Sequence, residues 1–240
     1  MNRAALQNVV AGARLPEPVK KYISIFSACG SGSGFRRRLK AGPARLLANI
    51  ANILDQAGDI LGIPAQEALF ATGFNPGNLA PGRFEAALAE LRAVVFLAAE
   101  GFSAISLVPQ TRSRTADITA ARGGNTYAFE VRCITGGERP AADLYGAKGR
   151  FEINGEAALT LLEKKYRKKM PQASCSRKKG RLSHCGLVFV LNAENAAPFS
   201  ASAALEGLAA DLYENVGRPP RAHLCLISGE KTGVYPAWGA

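Results

Sequence analysis

Residues 113–134 read SRTADITAARGGNTYAFEVRCI, and their pattern predicts the central feature of the architecture. Polar and apolar residues alternate on both sides of Gly123-Gly124, which is typical of a β-hairpin with a two-residue turn. Residues at equal distances from the two glycines then face each other, so Asp117 lies opposite Glu130. Directly opposed like charges destabilise a sheet, because their Cβ atoms are only about 5 Å apart. A bound divalent cation is the simplest compensation.

The two faces of this hairpin differ in character, because side chains alternate along a strand with a period of two. The apolar face carries Tyr127, Phe129, Val131 and Cys133. The polar face carries Thr126, Ala128, Glu130 and Arg132, joined from the partner strand by Ser113, Thr115, Asp117 and Thr119. Two alternatives to a metal site stay open: a solvated outer face with ordinary charges, or ion pairs between Arg132 and the two acids.

Composition limits the class of protein. The chain has 240 residues, 48% of them hydrophobic, enough for one substantial core with room for a smaller appendage. No apolar run reaches about 18 residues, so we expect no membrane span. The five scattered cysteines include no CxxC pair, which indicates reduced thiols and a cytoplasmic protein. Only two histidines are present, and no Gly-x-Ser-x-Gly motif supports a triad hydrolase.

The order of elements is regular after residue 82. Hydrophobic spacing predicts helices over residues 82–101, 155–169 and 202–215, and strands over 102–108, 113–119, 126–134, 186–191 and 222–227. Residues 1–80 differ, because they are rich in helix-forming residues and contain a basic Gly/Ser-rich loop near residues 30–40. Residues 73–82 are typical of a linker. We therefore expect an N-terminal helical region, residues 1–80, and a main domain, residues 81–240.

The hairpin resembles the signature of the PD-(D/E)xK nuclease superfamily, which includes restriction endonucleases and Holliday junction resolvases. Thr115-Ala116-Asp117 stands where the family has Pro-Asp, and Glu130-Val131-Arg132 stands where it has Glu-x-Lys. The resemblance covers roughly residues 82–228. It implies an α/β fold with a restriction endonuclease-like α-β-β-β-α-β-α-β core and a mixed central sheet.

The resemblance also implies an activity and a site. A metal-dependent endonuclease would hold Mg²⁺ or Mn²⁺ through Asp117, Glu130 and the backbone carbonyl of Val131. Members of the family often add a glutamate from the first helix, for which Glu85 is the first choice and Glu90 the second. Many nucleases of this family act as dimers, so a homodimer is one assembly to expect.

Arg132 departs from the family motif, which has lysine at this position. A guanidinium group does not release its proton at physiological pH, so Arg132 can stabilise charge or bind a phosphate but cannot act as a base. The lysine role then falls to the second helix, where Lys164, Lys165 or Lys168 could reach the site. The alternative is a non-catalytic nucleic-acid-binding protein that retains the nuclease fold.

The net charge of +11 is unevenly distributed. Residues 81–160 balance nine basic residues against nine acidic ones, whereas residues 164–181 contain nine basic residues and no acid. The nine basic residues lie on a predicted helix and on the flexible loop expected to follow it. They are Lys164, Lys165, Arg167, Lys168, Lys169, Arg177, Lys178, Lys179 and Arg181. Such a strip predicts salt-sensitive binding to a nucleic-acid backbone, with DNA as the expected partner. Arg36-Arg37-Arg38 and Lys40 form a second basic patch, and an acidic protein partner is a third interpretation.

Overall fold

The computed structural model describes residues 3–28, 34–109, 115–135 and 155–239. Within these ranges, the helices are α1 (Arg3–Gly12), α2 (Glu17–Ala28), α3 (Gly34–Ala41), α4 (Pro43–Leu61), α5 (Ala65–Ala71), α6 (Arg83–Ala99), α7 (Gly155–Lys179) and α8 (Ala203–Asn215). The strands are β1 (Ser103–Leu107), β2 (Ile118–Arg122), β3 (Asn125–Ile134), β4 (His184–Leu191), β5 (Ser200–Ala201), β6 (Ala222–Ser228) and β7 (Lys231–Tyr235). The expected α/β class is confirmed. None of the described helices has the length and apolar character needed to cross a bilayer.

The seven described strands form one mixed sheet in the order β1-β2-β3-β4-β6-β7-β5. β1, β2 and β3 are antiparallel neighbours, whereas β3, β4 and β6 run parallel. β4 is buried along almost its whole length. A continuous apolar run is what a parallel strand covered on both faces requires, so the prediction for residues 186–191 is confirmed.

The register of the β2–β3 hairpin is the predicted one. Ile118 pairs with Phe129 and Arg122 pairs with Asn125, on either side of the two glycines. Gly123 and Gly124 have φ angles of 55° and 78°, which a two-residue hairpin turn of this hand requires and which glycine adopts without strain. The turn and the side-chain alternation together fix which residues face each other.

Helices cover both faces of the sheet. One apolar cluster joins α6 and the N-terminal helices to Tyr127, Phe129 and Val131 of β3. A second cluster joins α7 and α8 to the other face of β4 and β6. The polar face of β3 is therefore not a solvated surface: Ala128 and Glu130 are both fully buried.

Five described elements differ from the expectation. Strand β2 covers Ile118–Arg122, so Asp117 precedes the strand that was expected over residues 113–119. Residues 34–41 form helix α3, so the basic residues expected on a loop lie on a helix, while residues 29–33 lie outside the described ranges. Strands β5 and β7 were not expected. Helix α7 continues to Lys179 rather than ending at Lys169, so the expected flexible loop of residues 170–181 is mostly helical.

Pro171 lies inside α7, where proline removes one helical N–H and normally ends a helix. The second half of the helix is held instead by contacts with the rest of the chain. Ala173 is fully buried in the second apolar cluster. The side chain of Gln172 donates to the carbonyl of Thr115 at 2.6 Å, and Ser176 accepts from the N–H of Ala116 at 2.6 Å. These tertiary contacts stabilise the helix beyond Pro171, which would otherwise break it.

Candidate active site

Asp117 immediately precedes β2 and is held at both its backbone and its side chain. Its N–H donates to the carbonyl of Phe129 at 2.9 Å, and its carbonyl accepts from Val108 at 2.9 Å. Its side-chain Oδ2 accepts from the N–H of Val131 at 2.7 Å. The side chain therefore lies against the edge of β3 just past the point where the pairing with β2 ends.

Glu130 is the most buried acid of the site, with a side-chain exposure of 0%. Its Oε1 forms an ion pair and hydrogen bond with Nζ of Lys169 on α7. Its Oε2 is buried and has no hydrogen-bond partner among the residues that the structure describes. Buried carboxylate oxygens almost always have a hydrogen-bond partner, so this oxygen is a candidate ligand for a cation.

The third acid of the site is Glu90 on α6, not the first choice Glu85. The negative charges of Asp117 and Glu130 both act on the carboxyl of Glu90. Glu85 is also buried, but the charges that act on it are those of Glu194 and Arg38. Five positions along a helix correspond to a rotation of about 140°, so the two glutamates cannot point to the same place. Both have apolar neighbours in sequence, and no local signal separates them.

Burial raises the pKa values of all three acids, and the charge of Asp117 further raises those of Glu90 and Glu130. Burial and the charges of Asp117 and Glu130 raise the pKa of Glu90 to about 9, against the opposing effect of Lys169. Burial and the charge of Asp117 raise the pKa of Glu130 to about 7, although Lys169 and Arg132 both act to lower it. Burial also raises the pKa of Asp117, opposed by the N–H of Val131 and by Lys169. Burial is thus the largest cause of all three shifts.

Two of these acids, Asp117 and Glu90, line a cavity of about 200 Å³, and Glu130 lies behind its wall. Asp117 and Glu90 are on its wall together with Lys169, Val131 and Arg132. The segment that joins α5 to α6 and the start of α6 also contribute to the wall, through Thr72, Gly73, Phe74, Asn75, Asn78 and Arg83. The sequence of this segment is typical of a linker, and it gives no indication that the segment forms part of a cavity wall.

Lys169 occupies the place that was expected for Lys164, Lys165 or Lys168. Leu162, Tyr166, Lys169 and Ala173 follow one another at helical spacing, and the three apolar members are buried. Lys169 therefore belongs to the buried stripe of α7, which is a sequence signal that could have identified it. Arg132 lines the same cavity and also acts on the charge of Glu130, with which Lys169 forms an ion pair.

The other basic residues of α7 separate into two groups. Lys165 and Arg177 are partly buried, and Arg167 forms a 3.9 Å ion pair with Glu163. The exposed members of the strip are Lys164, Arg167, Lys168, Lys178, Lys179 and Arg181. In the second basic patch, Arg38 points inward and forms an ion pair with the buried Glu194.

The residues present fit a hard divalent cation. Asp117 and Glu130 supply carboxylate oxygens, one of them the unpaired Oε2 of Glu130. The N–H of Val131 points towards Asp117, and the carbonyl of a strand residue points to the same side as its N–H, so the Val131 carbonyl faces this edge as well. In the described parts of the chain, no three His, Cys, Asp or Glu side chains form a ready-made metal cluster. A cation would therefore rely on two carboxylates, the carbonyl and water.

Comparison of the chain with protein-family models, with curated proteins and with solved structures finds no match. The function must therefore be inferred from the site itself. Its features are the acids Asp117 and Glu130, whose charges act on Glu90, a lysine in contact with Glu130, and a cavity with further cationic and amide side chains on its wall.

Proposed function

We propose that this protein is a metal-dependent nuclease that hydrolyses DNA phosphodiester bonds. The observation that carries the proposal is the buried, unpaired Oε2 of Glu130, which lies on the hairpin with Asp117 and beside Lys169. The element order α6-β1-β2-β3-α7-β4-α8-β6 supports the resemblance to the restriction endonuclease-like core, with β5 and β7 as additions.

Mg²⁺ or Mn²⁺ would be held by Asp117, Glu130 and the carbonyl of Val131. When bound, such a cation acidifies a coordinated water and neutralises charge on the scissile phosphate. Glu90 faces the same acids, and its carboxyl carries a proton at neutral pH because its pKa is about 9 in the metal-free protein. This proton keeps the negative charge of the site low until a cation is present.

The chain's own cations would bind and orient the substrate. Arg132 cannot act as a base, because its guanidinium group stays protonated. Lys169, whose Nζ is positioned by Glu130, takes the role of the motif lysine in orienting the substrate. Arg132 and Arg83 line the cavity and would bind phosphate oxygens through their planar guanidinium groups. Asn75 and Asn78 add amide groups to the wall of the cavity.

The test is cleavage of supercoiled plasmid DNA with Mg²⁺ or Mn²⁺ by the wild type and by Asp117→Asn. The substitution keeps the size of the side chain and removes its charge. We expect the rate to fall by more than about 100-fold, because even groups that only orient metal ligands contribute about 10- to 100-fold. The matched control is Asp211→Asn on the exposed surface of α8, which should cut like the wild type.

Binding of DNA at low salt should survive Asp117→Asn, since the exposed basic residues are unchanged. Metal-dependent cutting that persists in Asp117→Asn would remove this site from the mechanism. No cutting by the wild type with either metal would overturn the nuclease proposal.

A second candidate function is nucleic-acid binding without catalysis. The observation that favours it is the ion pair between Lys169 and Glu130, which compensates one buried charge without any metal. This candidate predicts salt-sensitive DNA binding that does not change on addition of Mg²⁺ or Mn²⁺, and no product in the plasmid assay.

A further inference from the structure

Helix α7 contacts the hairpin through one stripe of polar side chains. Lys169, Gln172 and Ser176 lie three and seven positions apart, so they share one side of the helix. Lys169 contacts Glu130, Gln172 contacts the carbonyl of Thr115, and Ser176 contacts the N–H of Ala116. The three contacts thus reach both β3 and the segment before β2 that carries Asp117, from one helix.

The segment immediately before Asp117 lacks strand pairing. β2 begins at Ile118, and residues 115 and 116 belong to no helix or strand. The hydrogen bonds from Gln172 at 2.6 Å and to Ser176 at 2.6 Å are made to the backbone of these two residues. Ala116 is buried at 2% exposure, so water does not readily replace the Ser176 hydroxyl there.

We propose that Gln172 and Ser176 are positioning residues for Asp117: they hold the backbone before it, so that its carboxylate stays against Val131 and beside Glu130. Neither side chain is among those that line the cavity, so they act through Asp117 rather than on a substrate. The inference deepens the proposed function, which supplies the reason for fixing the carboxylate. Its structural part, the contact between Asp117 and Val131, does not depend on that function.

The first measurement is hydrogen exchange at the N–H of Val131, which donates to Oδ2 of Asp117. The variants are Gln172→Met, which keeps the length of the side chain but removes the donor, and Ser176→Ala. We expect exchange at Val131 to accelerate by about 3- to 10-fold in each variant, the size of one broken hydrogen bond. Exchange at Val188 in the buried centre of β4 should not change.

Two further variants separate positioning from general destabilisation. Ser176→Thr keeps the hydroxyl and should retain the wild-type exchange rate at Val131. Gln66→Met, at an exposed position of α5, repeats the Gln-to-Met change away from the site and should also match the wild type. Unchanged exchange at Val131 in both Gln172→Met and Ser176→Ala overturns the inference.

The second measurement connects the two residues to the proposed chemistry. Calorimetric titration with Mn²⁺ should show affinity weakened by about 3- to 10-fold in Gln172→Met and Ser176→Ala. Plasmid cleavage should show a lower kcat with an unchanged KM, because no substrate contact is removed. If the wild type binds no Mn²⁺ and cuts no DNA, the nuclease proposal fails, and the exchange result alone decides the positioning role. If the wild type binds and cuts but the variants equal it, the positioning role fails alone.

Discussion

The carboxyl group of Glu90 is partly buried and faces two other acids. Its raised pKa makes the stability of the metal-free protein depend on pH. Its pKa is raised from 4.5 to about 9. Between these values the folded protein keeps a proton that the unfolded chain has released. The free energy of unfolding therefore falls as pH rises through this window, by at most about 1.4 kcal/mol per pH unit for one group. Glu130, with a pKa raised to about 7, adds to the same trend below pH 7.

The substitution Glu90→Gln should remove most of this dependence. We expect the gain in stability of the variant over the wild type to be smallest near pH 5, just above the unfolded-state pKa of 4.5, and largest at pH 8. Urea unfolding at pH 5, 6.5 and 8 measures the difference. Glu67→Gln, at an exposed position of α5, is the control and should show no such pH-dependent gain. An equal pH dependence in wild type and Glu90→Gln would contradict the assigned neighbours of Glu90.

Among the elements, α7 combines two functions in one helix. Its buried side supplies Lys169 and the contacts that hold the hairpin. Its exposed side carries basic residues from Lys164 to Lys179, a distance of about 23 Å at 1.5 Å per residue. A nucleic-acid backbone bound along the exposed side would lie on the same rigid element that positions the acids.

This arrangement predicts the salt dependence of DNA binding. The triple variant Lys164→Ala, Arg167→Ala and Lys168→Ala should reduce the slope of log Kd against log salt by roughly 0.9 for each phosphate that the protein no longer neutralises. Fluorescence anisotropy with a short duplex between about 50 and 200 mM salt covers the range in which such charge neutralisation matters. The matched control replaces Lys21, Arg218 and Lys231, three exposed cations on other elements, with alanine. An equal decrease of the slope in both triple variants would show that only net charge matters.

Across the molecule as a whole, the N-terminal helices and the sheet share one apolar cluster. Phe74 lies between them: its ring contacts Tyr22 and Phe84 at centroid distances of 5.2 and 5.4 Å, and it also lines the cavity. The boundary expected near residue 80 is therefore crossed by a closely packed aromatic group.

Phe74→Ala should destabilise both parts together, by about 3 kcal/mol as is typical for a buried phenylalanine. The single tryptophan, Trp238, packs on Phe102, Tyr127 and Phe129 and so reports on the sheet, while circular dichroism reports on the helices. Both signals should shift to the same lower urea midpoint. A shift confined to circular dichroism would mean that residues 1–80 unfold as a separate domain.

Sequence patterns were sufficient to predict the features that depend on neighbours along the chain. The glycine pair and the alternation of side chains predicted the register of β2 and β3, and an unbroken apolar run predicted β4 as a buried strand. These features follow from backbone geometry and short-range periodicity, so the opposition of Asp117 and Glu130 could be predicted.

The residues that complete the site, in contrast, depend on how distant elements pack together. Lys169 is 39 residues from Glu130 in sequence, and Gln172 is 57 residues from Thr115. The rotation of α6 that brings in Glu90 instead of Glu85, and the continuation of α7 past Pro171, follow from the packing of the helices on the sheet. Apart from the buried stripe of α7 that contains Lys169, such packing leaves no local pattern, because each helix presents several acids or lysines whose direction is set only by its partner.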